Sequence, residues 1–173
     1  ANYYSSSVAE SDFTQGAQIG FSVEKGNHSA SFNGFCEVMQ RNHVQFDVID
    51  EQTLTSDKIN KYELILFPVC ACMSDEVLES VKSYVKAGGH IIATYDTGCY
   101  DQKGYRLGYD RVKDLFGIKS MNKTLKYDTG TSFATVSSPY ADELNSDVIT
   151  GPLKLIDCSF EDGVESIAKI NRP

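Results

Sequence analysis

The sequence predicts an α/β protein built on a mostly parallel, doubly wound sheet, with a β-rich extension at its C-terminal end. Three observations carry that expectation. The run from Tyr62 to Gly98, YELILFPVCACMSDEVLESVKSYVKAGGHIIATYDTG, reads as one complete strand–helix–strand unit. Strand and helix patterns alternate with short connections ahead of it, the order that makes parallel neighbours. After Gly117 the helical periodicity stops, and short β-like runs between Thr- and Ser-rich stretches take over.

Taken in order, residues Ala1 to Gln15 are polar, rich in Ser and Tyr and without periodicity. They are expected to form an arm or linker ahead of one domain over residues 16–173. Ala17–Val23 is the first expected strand, with Glu24 to Ser29 as the polar turn at its carboxyl end. Phe32, Phe35, Cys36 and Met39 recur at helical spacing, giving a helix that ends near Asn42. Val44, Phe46 and Val48 alternate with polar residues in a second strand, Val44–Ile49. Asp50 to Lys61 is a connection that accommodates a turn of helix. Leu64 to Phe67 is a short apolar run without alternation, as expected of a strand covered on both faces.

The next helix has clear boundaries. Ser74 caps it, Asp75 and Glu76 suit its positive end, and Lys82 and Lys86 suit the other. Val77, Leu78, Val81, Tyr84 and Val85 make the stripe that packs on the sheet. Gly88 and Gly89 stop the helix, and His90 to Thr94 form the fourth strand. A Gly- and Tyr-rich loop, Cys99 to Tyr109, leads to a short helix holding Val112, Leu115 and Phe116. Beyond Gly117, β-like runs at Val148–Ile149, Leu153–Ile156 and Ile167–Ile170 are expected to extend the sheet, because residues 118–173 lack an apolar core of their own.

Composition narrows the function classes. At 173 residues and 41% hydrophobic, the chain supports one domain with a proper core. A net charge of −8 argues against a nucleic-acid or anionic-membrane surface, which needs clustered Lys and Arg. No apolar stretch approaches the ~20 residues of a membrane span. The start shows no basic segment followed by an apolar one, and the five cysteines are an odd number, so the expectation leans towards the cytoplasm. Cys36, Cys70, Cys72 and Cys158 sit in or beside apolar elements as reduced thiols. No C-x2-C pattern or neighbouring His makes a metal site, and neither metal nor cofactor is expected.

Open parallel sheets bind ligands beyond the carboxyl ends of their strands, which singles out Cys70, Asp96 and Thr97. Cys99 follows Gly98 on an expected exposed turn, with no His or Lys beside it to lower its pKa. Glu24 closes the first strand and would face Asp96; two carboxylates there can hold a metal or share a proton, or be merely a solvated turn residue and a turn cap. Tyr95, Tyr100, Tyr105 and Tyr109 crowd the loop after the fourth strand. With no Trp for sugar stacking, protein contact is the better expectation for them.

The stretch from Asn42 to Lys119 resembles the class I glutamine amidotransferase-like superfamily. Within it, the chain is similar to the β-galactosidase trimerisation domain of family 42 glycoside hydrolases. The segments HVQFDVID, Tyr62 to Gly98 and RVKDLFGIK carry the likeness: a strand with a central Asp, a Y-x-L-x-x-x-P strand, a helix ending Y-V-x-A-G-G and a strand ending T-Y-x-x-G. The resemblance implies a flavodoxin-like sheet and a non-catalytic module that serves oligomerisation or completes a neighbouring site. It implies as partners copies of the chain itself, as in a trimer, or a catalytic domain in the same polypeptide. The family's usual final hairpin has no counterpart before Pro173, so the chain is expected to be part of a longer, sugar-hydrolysing protein.

Active members of the superfamily place a Cys on the turn after the fourth strand. Alignment on Gly98 puts Asp96 there instead. The downstream His is missing, since the only histidines are His28, His43 and His90, and the P-G-G oxyanion turn is replaced by Pro68-Val69-Cys70. The competing reading is a small hydrolase or amidotransferase-like enzyme rebuilt around Cys99, Cys70 or the Glu24/Asp96 pair.

Overall fold

The computed structural model describes residues 28–126, 133–137, 139–150 and 154–171. The expected arm, the expected strand Ala17–Val23 and Glu24 lie outside the described residues. The chain divides into two compact units, Ala1–Leu115 and Phe116–Pro173.

In the first unit, helix α1 spans His28–Arg41 and the short helix α2 spans Glu51–Leu54, followed by a 3-10 turn over Asp57–Lys61. Strand β1 is Leu64–Phe67, helix α3 is Asp75–Lys86 and strand β2 is His90–Ala93. β1 and β2 pair in parallel, Leu64 opposite His90 through Phe67 opposite Ala93, with α3 as their crossover. Helix α4, Lys113–Phe116, spans the point where the chain passes from the first unit to the second.

Local chemistry explains α3. The Ser74 hydroxyl accepts the Val77 amide at 3.2 Å, occupying one of the donors that a helix start leaves free. Val77, Leu78, Val81 and Tyr84 are buried, and Ile65 and Phe67 are the buried positions of β1. The stop is a coupled pair of glycines. Gly88 takes φ +98°, a left-handed value costly for other residues. A Cβ on Gly89 would sit 2.1 Å from the Tyr84 ring, whose hydroxyl donates to the Tyr62 carbonyl at 2.9 Å. The Y-V-K-A-G-G sequence is thus one device, in which an aromatic ring folds over a bare backbone.

The expected strand Val44–Ile49 is not one among the described residues; residues 44–50 have no regular secondary structure and join no ladder there. Asp47 ties the segment to the start of β1, accepting from the Tyr62 hydroxyl at 2.9 Å and from Lys61 Nζ at 3.2 Å.

The second unit pairs with itself. Strand β3, Ile118–Lys126, runs antiparallel to β6, Lys154–Phe160, with irregular register at two places. Strand β4, Phe133–Val136, lies between β5, Val148–Thr150, and β7, Ala168–Asn171, both antiparallel to it. Helix α5, Tyr140–Leu144, joins β4 to β5 and ends on Asn145 in a left-handed conformation. The expectation that residues 118–173 extend the parallel sheet is corrected among the described residues, where their strands form separate sheets.

Candidate functional site

The carboxyl ends of β1 and β2 form a tightly laced platform. Thr94 and Thr97 do the lacing: the Thr94 hydroxyl accepts the Val69 amide at 2.9 Å, and the Thr97 hydroxyl accepts the Cys70 amide at 3.2 Å while donating towards the Thr94 carbonyl at 2.9 Å. Backbone bonds continue the seam, from Gly98 to the Cys70 carbonyl at 2.9 Å and from Tyr100 to the Ala71 carbonyl at 3.0 Å. Two non-glycine residues here are left-handed, Val69 at φ +50° and Tyr95 at φ +53°. For a β-branched Val this is a real outlier, held in place by the amide bonds on both sides of it.

Arg111 locks the platform from the side. Its Nη1 donates to the carbonyls of Met73, Gly98 and Tyr100 at 2.9–3.0 Å, and its Nη2 reaches Asp75 at 2.5 Å. One guanidinium therefore joins the loop after β1, the turn after β2 and the first turn of α3. Sequence reasoning missed this residue, since a lone Arg in RVKDLFGIK carries no motif.

The structure brings Cys70 and Thr97 into contact, buries Asp96 beside them and folds Cys99 inward. Cys99 corrects the expectation of an exposed turn thiol: it is 1% exposed. Its carbonyl accepts the Leu107 and Gly108 amides at 2.9 and 3.0 Å, which turns the loop back over it. Burial pushes the Cys99 thiol far above its ordinary range, with the Asp96 charge adding to the shift against smaller opposing effects of Arg106 and Arg111. Burial also pushes Cys70 up, to about 11. At neutral pH only ~10⁻⁴ of such a thiol is ionised, the reverse of what a nucleophile needs. Among the described residues no group of three or more His, Cys, Asp or Glu is placed to hold a metal ion. No helix among them is long and apolar enough to cross a membrane.

The tyrosine loop divides. Tyr100 is 6% exposed and bridges to Cys72 and Arg106, so its expected role as a contact side chain is corrected. Burial raises its hydroxyl to about 12. Tyr95 and Tyr109 are half-buried, and Arg106 lies 5.4 Å above the Tyr109 ring. Tyr105 alone of the four projects, at 69% exposed, with Leu107 also in solvent. Its loop is braced from within: Asp101 Oδ1 accepts the amides of Lys103 and Tyr105 at 2.8 and 2.9 Å, and the Asp101 amide donates to the Tyr105 carbonyl at 2.9 Å.

A separate cleft of about 710 Å³ among the described residues runs beside β1, lined by Phe32, Phe35 and Met39 of α1 and by the segment 44–50. Cys70 borders it, whereas Asp96, Thr97 and Cys99 do not. His28 stands at its end, 2% exposed, with Nδ1 2.7 Å from the Pro68 carbonyl.

These features define a mixed α and β chain whose β1 and β2 ends are laced together by hydrogen bonds, with Cys70 part-buried and Cys99 buried among them. The chain belongs to the β-galactosidase trimerisation domain family, whose model matches residues 8–150. Among solved structures it is similar to a β-galactosidase from Bifidobacterium adolescentis, at 15% identity and TM-score 0.46 over 79% of this chain and 83% of that one. It is also similar to Gan42B, a GH42 β-galactosidase, at 17% identity and TM-score 0.56, covering 83% of this chain but 22% of that one. The likeness to Gan42B is one of fold. No curated protein matches the chain.

Proposed function

We propose that the chain is a non-catalytic assembly module of a family 42 β-galactosidase-type protein, joining copies of itself or completing a neighbouring catalytic domain. The family match over residues 8–150 carries this reading. The thiols at the strand ends support it, because burial holds Cys70 and Cys99 protonated and removes the rebuilt-hydrolase alternative's best nucleophiles. A doubly wound, flavodoxin-like sheet of amidotransferase-like descent belongs to the same proposal. Its support is the parallel β1–β2 pair with its helical crossover.

Tyr105 is the proposed contact residue. A large aromatic on a pre-ordered loop loses little entropy on docking, and Lys103 and Arg106 beside it complement the acidic surface expected of a chain with net charge −8. Light scattering on the full-length protein tests the reading. The expected result is a homo-oligomer, weakened at least tenfold in association constant by Tyr105→Ala, with ~1.4 kcal/mol corresponding to that factor. A monomer at every concentration, with β-galactoside hydrolysis retained, overturns it.

A further inference from the structure

One end of the sheet β5–β4–β7 gathers large apolar side chains in the open. Along β4, Ala134 and Val136 are buried while Phe133 and Thr135 are exposed. Val148 of β5 stands opposite Thr135, and directly paired residues share a face, so Phe133, Thr135 and Val148 lie on one exposed side. Where β4 ends, the Val136 amide donates to the Asp147 carbonyl at 2.9 Å and the Ser137 amide to the Ile167 carbonyl at 2.8 Å. These bonds set the start of β5 and the start of β7 on either side of the same strand end, from which α5 also leaves. Leu144 and Ile167 thereby join Phe133 and Val148, all of them 46–55% exposed. An apolar surface of this kind, rimmed by charge, marks a contact. The rim is acidic: segments 142–149 and 161–168 carry six acidic residues and no basic one. Lys169, opposite Thr135 on β7, sets a single positive charge beside them.

Given the assembly through Tyr105 proposed above, we infer that this end of the sheet receives the Tyr105 loop of a second copy. The loop has the complementary composition. Segment 102–107 carries Lys103 and Arg106 and no acidic residue, and Tyr105 and Leu107 project from it into solvent. Apolar side chains then meet apolar ones at the centre, and the basic tip meets the acidic rim around them. The acidic first turn of α3 does not fit the loop in the same way. Its neighbours Val77, Leu78 and Val81 are buried, and Asp75 is already held by Arg111. Because the loop and its receiving face are different surfaces, the contact is head-to-tail. Each copy gives one loop and receives one, and a rotation that closes on itself makes a ring.

Association constants of the full-length protein and its variants, measured by analytical ultracentrifugation at low salt, test this contact. Lys103→Glu is expected to weaken association ~fivefold or more, and so is the pair Asp147→Lys with Glu165→Lys. All three changes in one chain restore attraction with the signs exchanged, so association should return to within ~threefold of wild type instead of falling by the product of the two losses. Ile167→Gln should weaken association ~tenfold with an unchanged melting temperature. Losses that simply multiply in the triple variant overturn the contact. An oligomer weakened by Tyr105→Ala yet indifferent to the changes at 147, 165 and 167 overturns it too, and leaves the assembly through Tyr105 standing. Changes at those positions that lower β-galactoside hydrolysis without altering association also overturn it, in favour of a catalytic domain seated on the same face. A monomer at every concentration overturns both.

Discussion

Arg111 offers the sharpest test at the scale of single residues. Its side chain is 12% exposed, and its loss removes a donor from three platform carbonyls, of which that of Tyr100 keeps the Met73 amide, whereas its ion-pair partner Asp75 is 89% exposed. Arg111→Ala is therefore expected to cost about 3 kcal/mol or more through buried acceptors left unsatisfied. Asp75→Ala should cost under ~1 kcal/mol, as exposed pairs do. Arg111→Lys rescues little, because a single ammonium nitrogen cannot stand at once where Nη1 meets the carbonyls and where Nη2 meets Asp75. Urea denaturation of the three variants measures this, and equal losses for Arg111→Ala and Asp75→Ala would remove the clamp from the account. Cys70 makes a second residue-scale prediction, in pH. Its thiol rises from an ordinary 9.0 to about 11 through burial, so both folded and unfolded chains keep the proton below about pH 9. Between there and about pH 11 the unfolded chain ionises first, and stability falls as pH rises. Thermal melting should decline over that window and decline less in Cys70→Ala; identical profiles would mean that the thiol is solvated.

Elements were legible in the sequence where local chemistry alone fixes them. Ser74, the stripe through Val81 and the Gly88–Gly89 stop foretold α3 because a cap, a 3.6-residue period and a left-handed stop are all local. The nine-residue β3, IKSMNKTLK, was not foreseen, since it mixes Lys, Ser and Asn with scattered apolar residues and owes its form to pairing with β6. Of the candidate site, Cys70 and Thr97 do meet. The burial of Cys99 and Tyr100 was hidden, because it depends on a loop that returns through Leu107 and Gly108 and on a guanidinium more than ten residues away. At this scale, Val81→Asp is the decisive change. Val81 is fully buried, and a lone carboxylate there is expected to cost roughly 3–5 kcal/mol, on the order of a domain's margin. Circular dichroism would show a much lower melting temperature or an unfolded chain; unchanged melting would put that face of α3 in water. Ser74→Ala is a milder companion at ~1 kcal/mol.

For the molecule as a whole, the proposed contact at Tyr105 sets a basic tip, Lys103 and Arg106, against an acidic chain, so assembly through it is expected to be sensitive to salt. If Tyr105 is the anchor and the charges steer, raising ionic strength from 50 to 500 mM should slow association several-fold and leave dissociation nearly unchanged. Stopped-flow mixing of labelled full-length protein gives both rates, and a salt effect confined to dissociation would place the charges inside the contact.

The position of Arg111 along the chain also bears on the order in which the domain is made. Its three carbonyl partners, at Met73, Gly98 and Tyr100, all leave the ribosome before it does. The stretch from Tyr62 to Gly98 reads as a self-sufficient unit, yet during synthesis it has both strands and their crossover helix while its strand ends are still unfastened. At ~5–20 residues per second the interval is brief, on the order of a second or so. Codons slowing translation just ahead of residue 111 would prolong it, leaving the platform open to whatever binds unsatisfied carbonyls. A nascent chain stalled short of Arg111 should be cleaved by protease within residues 94–108, and one stalled well beyond it should not.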